Sequence, residues 1–116
     1  MCDDLEAFDK KPNPKKADKL ESDIELSACK YAKNLGMLVY KLKTPQQRGA
    51  PDRMFIVGHV LFFIEFKRVY KGKPTKPTKQ QLKRHQELRD RGFTVEVVWS
   101  LDQAKVVFDN MHFLYG

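Results

Sequence analysis

The chain has little of what several protein classes require. It carries two cysteines, and neither belongs to a C-x-x-C motif. Cys2 sits near the N-terminus, and Cys29 falls inside a helical pattern, where a small buried hydrophobe is the ordinary use. Three histidines (His59, His85, His112) are too far apart for zinc-type spacing. No stretch approaches the roughly 18 to 20 apolar residues of a membrane span. The opening "MCDDLEAFDKKPNPKK" has acids first and no apolar h-region, so no secretory signal is read and an intracellular protein is expected. No internal repeat is present. These absences argue against a disulfide scaffold, a zinc module and a membrane protein.

What is present fits one folded domain. The 116 residues suffice for a single hydrophobic core, and an apolar fraction of 41% with eight Phe is globular in character. The net charge of +7 is unevenly placed. Residues 1–20 hold five acids and five lysines, whereas residues 67–91 hold ten Lys/Arg against two acids, a surplus of eight. A basic surplus gathered in one segment suits a polyanionic partner, with nucleic acid the default. A solvated loop and helix face would have the same composition.

Residues 1–20 are polar, carry "KPNPKK" and lack periodicity, so they read as a flexible tail before a single domain over 21–116. "SDIELSACKYAKNLG" reads as a helix: Ser22 and Glu25 form a capping-box pattern, Ile24, Ala28, Tyr31 and Leu35 follow at helical spacing, and Gly36 can end it. "MLVYKL" reads as a strand and "KTPQQRGAP" as a loop. "MFIV" and "VLFFIEF" flank Gly58-His59 as a hairpin, and their unbroken apolar character predicts cover on both faces. "KRVYKGKPTKP" is taken as a basic loop. "TKQQLKRHQELRDRG" is a second helix with a Thr78/Gln81 capping pattern and a thin apolar stripe of Leu82 and Leu88. "FTVEVVW" is a strand. "SLDQAKVVFDNM" is a last helix with Ser100 and Gln103 at its start and Ala104, Val107, Phe108 and Met111 facing inward. The order is α-β-β-β-α-β-α, an α/β fold with a mixed β-sheet flanked by helices and one right-handed β-α-β unit.

The hairpin converts spacing into geometry. With a turn at Gly58-His59, facing residues have numbers that sum to 117, so Asp52 faces Glu65 with Cβ atoms about 4.5 to 5.5 Å apart. Lys67, two residues on, points to the same face. Directly opposed carboxylates destabilise a sheet unless one is protonated, a cation compensates, or a divalent ion sits between them. Oxygen ligands with a position left for water or phosphate suit Mg²⁺ or Mn²⁺, and the Phe66 backbone carbonyl could add a ligand. Such an ion would polarise a phosphoryl oxygen and activate water, with Lys67 orienting that water or balancing charge on phosphorus. The other use of these residues is a buried Asp–Lys or Glu–Lys ion pair at a strand end, which seldom repays its desolvation.

"RGAPDR", "FIEFK" and Thr-x-x-Gln together resemble the PD-(D/E)XK nuclease signature, and more narrowly the virus-type replication–repair nuclease domain, VRR-NUC. The resemblance spans about residues 21 to 107, with no departure in the motif core. It implies a restriction-endonuclease-like core and metal-dependent phosphodiester hydrolysis. It matches Asp52 to the motif Asp, Glu65 to the second acid, Lys67 to the motif lysine and Gln81 to the helix glutamine. Glu25 matches the helix acid that completes the metal site, with Glu21 as the alternative. For stand-alone members of this size it also implies a homodimer acting on branched DNA such as four-way junctions, commonly in phages. Flap or nick endonucleases use the same residues, and a non-catalytic DNA-binding module is the rival from another class. Lys71, Lys73, Lys76, Lys79, Lys83 and Arg84 are then candidates to hold DNA phosphates. Arg48 and Arg53 flank the motif loop and are candidates too, although Arg53 could instead neutralise nearby carboxylates.

Overall fold

The computed structural model describes residues 20–42 and 48–116. The tail read over residues 1–20 lies outside them apart from Leu20, as does part of the loop before Arg48. Helix α1 (Glu21–Asn34) leads into β1 (Leu38–Lys41), β2 (Arg53–Val57) and β3 (Val60–Phe66). A two-stranded ribbon, β4 (Val69–Tyr70) and β5 (Lys73–Pro74), precedes α2 (Lys79–Asp90), β6 (Thr94–Val98) and α3 (Leu101–Tyr115). The four-stranded sheet has the order β1-β2-β3-β6. Its first three strands are antiparallel, and β6 pairs parallel to β3 after the α2 crossover, which makes the sheet mixed as expected.

The hairpin turns at Gly58-His59, as its sequence pattern predicts. Val57 pairs with Val60 and Arg53 with Ile64, with no bulge between. Gly58 supplies the positive φ of 57° that the two-residue turn needs. Alternation then sorts the residues of β3. Phe62, Ile64 and Phe66 join Ile24, Ala28, Ala32, Phe55, Ala104 and Phe108 in one core between the sheet and helices α1 and α3. The Phe55 and Phe62 rings stack at 5.3 Å, and Phe108 meets Phe55 edge-on at 4.8 Å. The opposite face is covered less completely: Phe63 is buried, but Met54, Ile56 and Leu61 are only half-buried. One face of the hairpin is therefore the core, and the other is left for chemistry.

Four local expectations change. Helix α1 begins at Glu21 with Leu20 as its cap residue and no side-chain cap, so Ser22 is already helical and its pattern with Glu25 caps nothing. The "loop" after β3 folds into the β4–β5 ribbon, turning through Lys71 (φ 51°) and Gly72 (φ 77°). It is fastened at Thr75, whose hydroxyl donates to the Arg68 carbonyl at 2.9 Å and whose carbonyl accepts from Trp99 Nε1 at 2.6 Å. Helix α2 turns Gln81 and His85 inward, while Leu82 is 50% exposed. Counting apolar residues picks the wrong stripe here, because polar partners inside recruit a polar face. Helix α3 runs on to Tyr115, with Ala104, Phe108 and Met111 buried as expected.

Candidate active site

Asp52 lies one residue before β2, Glu65 is the penultimate residue of β3, and Lys67 follows its end. The paired ladder stops at Arg53 and Ile64, so the next facing pair outward is Asp52 and Glu65. Asp52 uses its side chain there: the Phe66 N–H donates to Asp52 Oδ2 at 2.8 Å. The Lys67 N–H points the other way, to the Val98 carbonyl at 2.8 Å. Amide and carbonyl of one strand residue point to the same edge. The Phe66 carbonyl is thus directed toward the Asp52 side of β3, where it was expected as a ligand.

Glu65 is 1% exposed and sits among donors on α2. Gln81 Nε2 donates to Glu65 Oε2 at 2.8 Å, and Lys67 Nζ stands 3.9 Å from the same oxygen. Gln81 also serves the helix start. Its Oε1 accepts from the Thr78 N–H at 2.8 Å while its own N–H donates to Thr78 Oγ1 at 3.1 Å. The cap and the site are therefore not rival uses: the carbonyl end of one amide caps α2, and the amino end holds Glu65. His85, one turn further on, is fully buried with Nε2 3.7 Å from Glu65 Oε1. Asp52 is 6% exposed and Lys67 9%. The hard carboxylate oxygens of the two buried acids suit Mg²⁺ or Mn²⁺ rather than a soft metal.

The motif loop reaches this site through Gly49. With φ at 84°, a Cβ there would stand 2.7 Å from the Gln80 carbonyl oxygen and 2.9 Å from Arg84 Cγ. Glycine lets the loop before Asp52 lie directly on the first turn of α2. A cleft of about 350 Å³ opens beside it, lined among others by Pro51, Phe63, Arg84, Leu88 and Arg91.

No model of a known protein family matches the chain. A relative named Putative nuclease p44, from Acyrthosiphon pisum secondary endosymbiont phage 1, is 31% identical over 88 residues, which is 75% of this chain and 90% of the relative. A solved structure described as a VRR_NUC domain superposes with a TM-score of 0.65 at 36% identity, covering 77% of this chain and 94% of that one. The chain belongs to the VRR-NUC nuclease family.

Within this VRR-NUC domain, not every expected residue comes to the acids. Glu25 accepts from Arg53 Nε at 2.5 Å, and among the described residues no three His, Cys, Asp or Glu side chains form a metal-sized group. Neither Glu25 nor Glu21 thus joins Asp52 and Glu65 here. Register explains it, since Arg53 alternates with Asp52 and points to the α1 side of the sheet. Burial is the largest single influence and opposes the Arg53 charge, but the hydrogen bond that Arg53 donates to Glu25, together with the charges of Cys29, Glu25 and Asp52 nearby, outweighs it and raises the guanidinium pKa. Arg53 accordingly neutralises a carboxylate, one of its two expected uses. Arg84 is half-buried and bound to both Glu87 oxygens at 3.1 Å. Arg48, Lys71, Lys73, Lys76, Lys79 and Lys83 are exposed. Arg68 lies over the Tyr70 ring at 4.7 Å. The residue that sequence reasoning missed is His85, and a signal existed: it follows Gln81 by one helical turn.

Proposed function

We propose that this VRR-NUC domain is a Mg²⁺- or Mn²⁺-dependent endonuclease that hydrolyses phosphodiester bonds of DNA, acting as a homodimer on branched substrates such as four-way junctions. The observation that carries the proposal is the buried set of Asp52, Glu65 and Lys67 at the end of the β2–β3 hairpin, with Asp52 held by the Phe66 N–H and Lys67 beside Glu65. Asp52, Glu65 and the Phe66 carbonyl would hold the ion. Glu25 is the helix acid that the family pattern would add, and it would have to release Arg53 to take that role. When bound, the ion supplies Lewis-acid polarisation of the phosphate and a more acidic water.

The chain's own residues do the rest. Gln81 fixes the Glu65 carboxylate, so the acids need not reorganise during reaction. Lys67 would orient the attacking water and balance charge on phosphorus. The water gives up a proton to solvent as its oxygen bonds to phosphorus, the bond to the leaving sugar oxygen breaks, and that oxygen takes up a proton from solvent. The exposed lysines of the β4–β5 ribbon and α2, with Arg48, would hold flanking phosphates. The cleft beside Pro51 offers a path for the strand. A junction resolvase makes two symmetric cuts and needs two such sites, which a dimer with two-fold symmetry provides. No described helix is long and apolar enough to cross a membrane. With a phage protein among the relatives, action in a host cytoplasm fits.

The test is cleavage of labelled four-way junction, flap, nicked and linear duplex in Mn²⁺, beside a mass measurement in solution. Asp52→Ala and Lys67→Ala should abolish cleavage and leave DNA binding largely intact. Full activity of Asp52→Ala refutes the mechanism. A monomer that cuts linear duplex as well as junctions refutes the resolvase. A wild-type chain that binds DNA but takes up no Mn²⁺ would be a binding module.

A further inference from the structure

Among the described residues, the ring of His85 has no hydrogen-bond partner at either nitrogen, although it is fully buried. Glu65 Oε1 is equally buried and equally without a hydrogen bond. These unsatisfied atoms face one another, with Nε2 3.7 Å from Oε1. A buried polar group left unpaired costs about 1–3 kcal/mol, so an imidazole that merely filled space would be worse than a leucine there. The other carboxylate oxygen is already served, by Gln81 at 2.8 Å and Lys67 at 3.9 Å. Gln81 and His85 are one helical turn apart on α2, so both reach the same carboxylate from the same element.

We propose that His85 is a positioning residue for the metal site, in which its Nε2–H holds the inward oxygen of Glu65 while Gln81 holds the other. The inference rests on the metal-dependent reading above. Nε2 then presents an N–H to the carboxylate, because only an N–H can face a carboxylate oxygen favourably. At 3.7 Å the contact is longer than a hydrogen bond, and such contacts commonly tighten when a site is loaded. With both oxygens held, Glu65 cannot rotate away from Asp52, and the ion meets a preformed ligand. Groups that orient a ligating carboxylate typically contribute about 10–100-fold to metal affinity.

The experiment is calorimetric titration of the full chain with Mn²⁺, for wild type, His85→Leu and His85→Gln, with melting curves in EDTA. His85→Leu should bind Mn²⁺ about 10- to 100-fold more weakly, with a cooperative melt in EDTA that shows the variant is folded. His85→Gln, whose amide N–H reaches the place of Nε2, should recover most of the affinity. If His85→Leu does not fold, His85→Asn replaces it, since its shorter amide cannot reach Glu65 and should bind as weakly. Wild-type affinity in His85→Leu, or equal weakness in the Gln and Leu variants, overturns the proposal. A wild-type chain that takes up no Mn²⁺ defeats the metal reading first, and this inference with it.

Discussion

Gln81 does two jobs with one amide, and three substitutions separate them. Thr78→Ala removes only the cap and should cost about 1 kcal/mol, the usual worth of an N-cap hydroxyl. Gln81→Ala removes the cap partner and also the donor to buried Glu65. A hydrogen bond to a charged group is worth about 1.5–3 kcal/mol, so its total loss should exceed that of Thr78→Ala by roughly that amount. Gln81→Glu is the sharper probe. It keeps the oxygen that caps Thr78 but sets a second carboxylate where the amino group lies 2.8 Å from Glu65 Oε2. Two like charges about 4 Å apart repel by roughly 4 kcal/mol at an effective dielectric near 20. The folded protein relieves this by keeping one proton, which raises the pair's pKa above the ordinary Glu value of about 4.3. The native state then binds more protons than the unfolded chain, so the deficit against wild type is small near pH 4 and grows as pH rises through the raised pKa. Mn²⁺ should shrink the deficit by sitting among the carboxylates. Melting curves from pH 4 to 8, in EDTA and in Mn²⁺, read all of this. Gln81→Glu melting like wild type at pH 8 in EDTA, or Gln81→Ala losing no more than Thr78→Ala, would refute the dual role.

Two further outcomes are expected. Glu25→Gln should weaken Mn²⁺ binding in calorimetry if the helix acid joins the site; unchanged affinity with lowered stability would leave Glu25 as the anchor of Arg53 alone. Replacing Lys73, Lys76 and Lys79 by Gln should flatten the salt dependence of DNA binding, by about 0.9 in log–log slope for each phosphate that the protein no longer neutralises. An unchanged slope would remove the ribbon and the start of α2 from the DNA path.

The hairpin is legible in the sequence because two apolar runs flank a Gly-containing two-residue turn, and that turn sets the register that carries Asp52 opposite Glu65. The Thr78 and Gln81 pattern is legible for a similar reason, being local and followed by a helix. Ser22 and Glu25 make the same pattern without capping, because Ser-x-x-Glu is also ordinary helix composition once the helix starts two residues earlier, at Glu21. Side-chain burial on α2 is not legible from apolar residues. Leu82 looks like the inward residue, but Glu65 supplies an inward partner for Gln81, and only the fold reveals that partner. The pairing of Glu25 with Arg53 is hidden likewise, since it joins residues 28 apart in sequence, one on α1 and one on β2.

The close approach of Gly49 to α2 ties the loop before Asp52 to the residue before Gln81, and a glycine elsewhere offers the control. Gly49 and Gly36 both hold positive φ, 84° and 89°, so alanine at either suffers the left-handed strain of roughly 1–2 kcal/mol. Among the described residues nothing stands within 4 Å of a Cβ at Gly36, whereas at Gly49 it would meet the Gln80 carbonyl oxygen at 2.7 Å. A backbone atom cannot swing aside as a side-chain tip can, so either the loop or the start of α2 must move. Asp52 follows the loop and Gln81 follows Gln80, and a shift of either disturbs the pair of carboxylates. Gly36→Ala should therefore lose stability without loss of cleavage per folded molecule. Gly49→Ala should lose more stability and much of its cleavage and Mn²⁺ affinity. Equal specific activity in the two variants, measured below their melting transitions, would show that the loop and α2 are not mechanically joined.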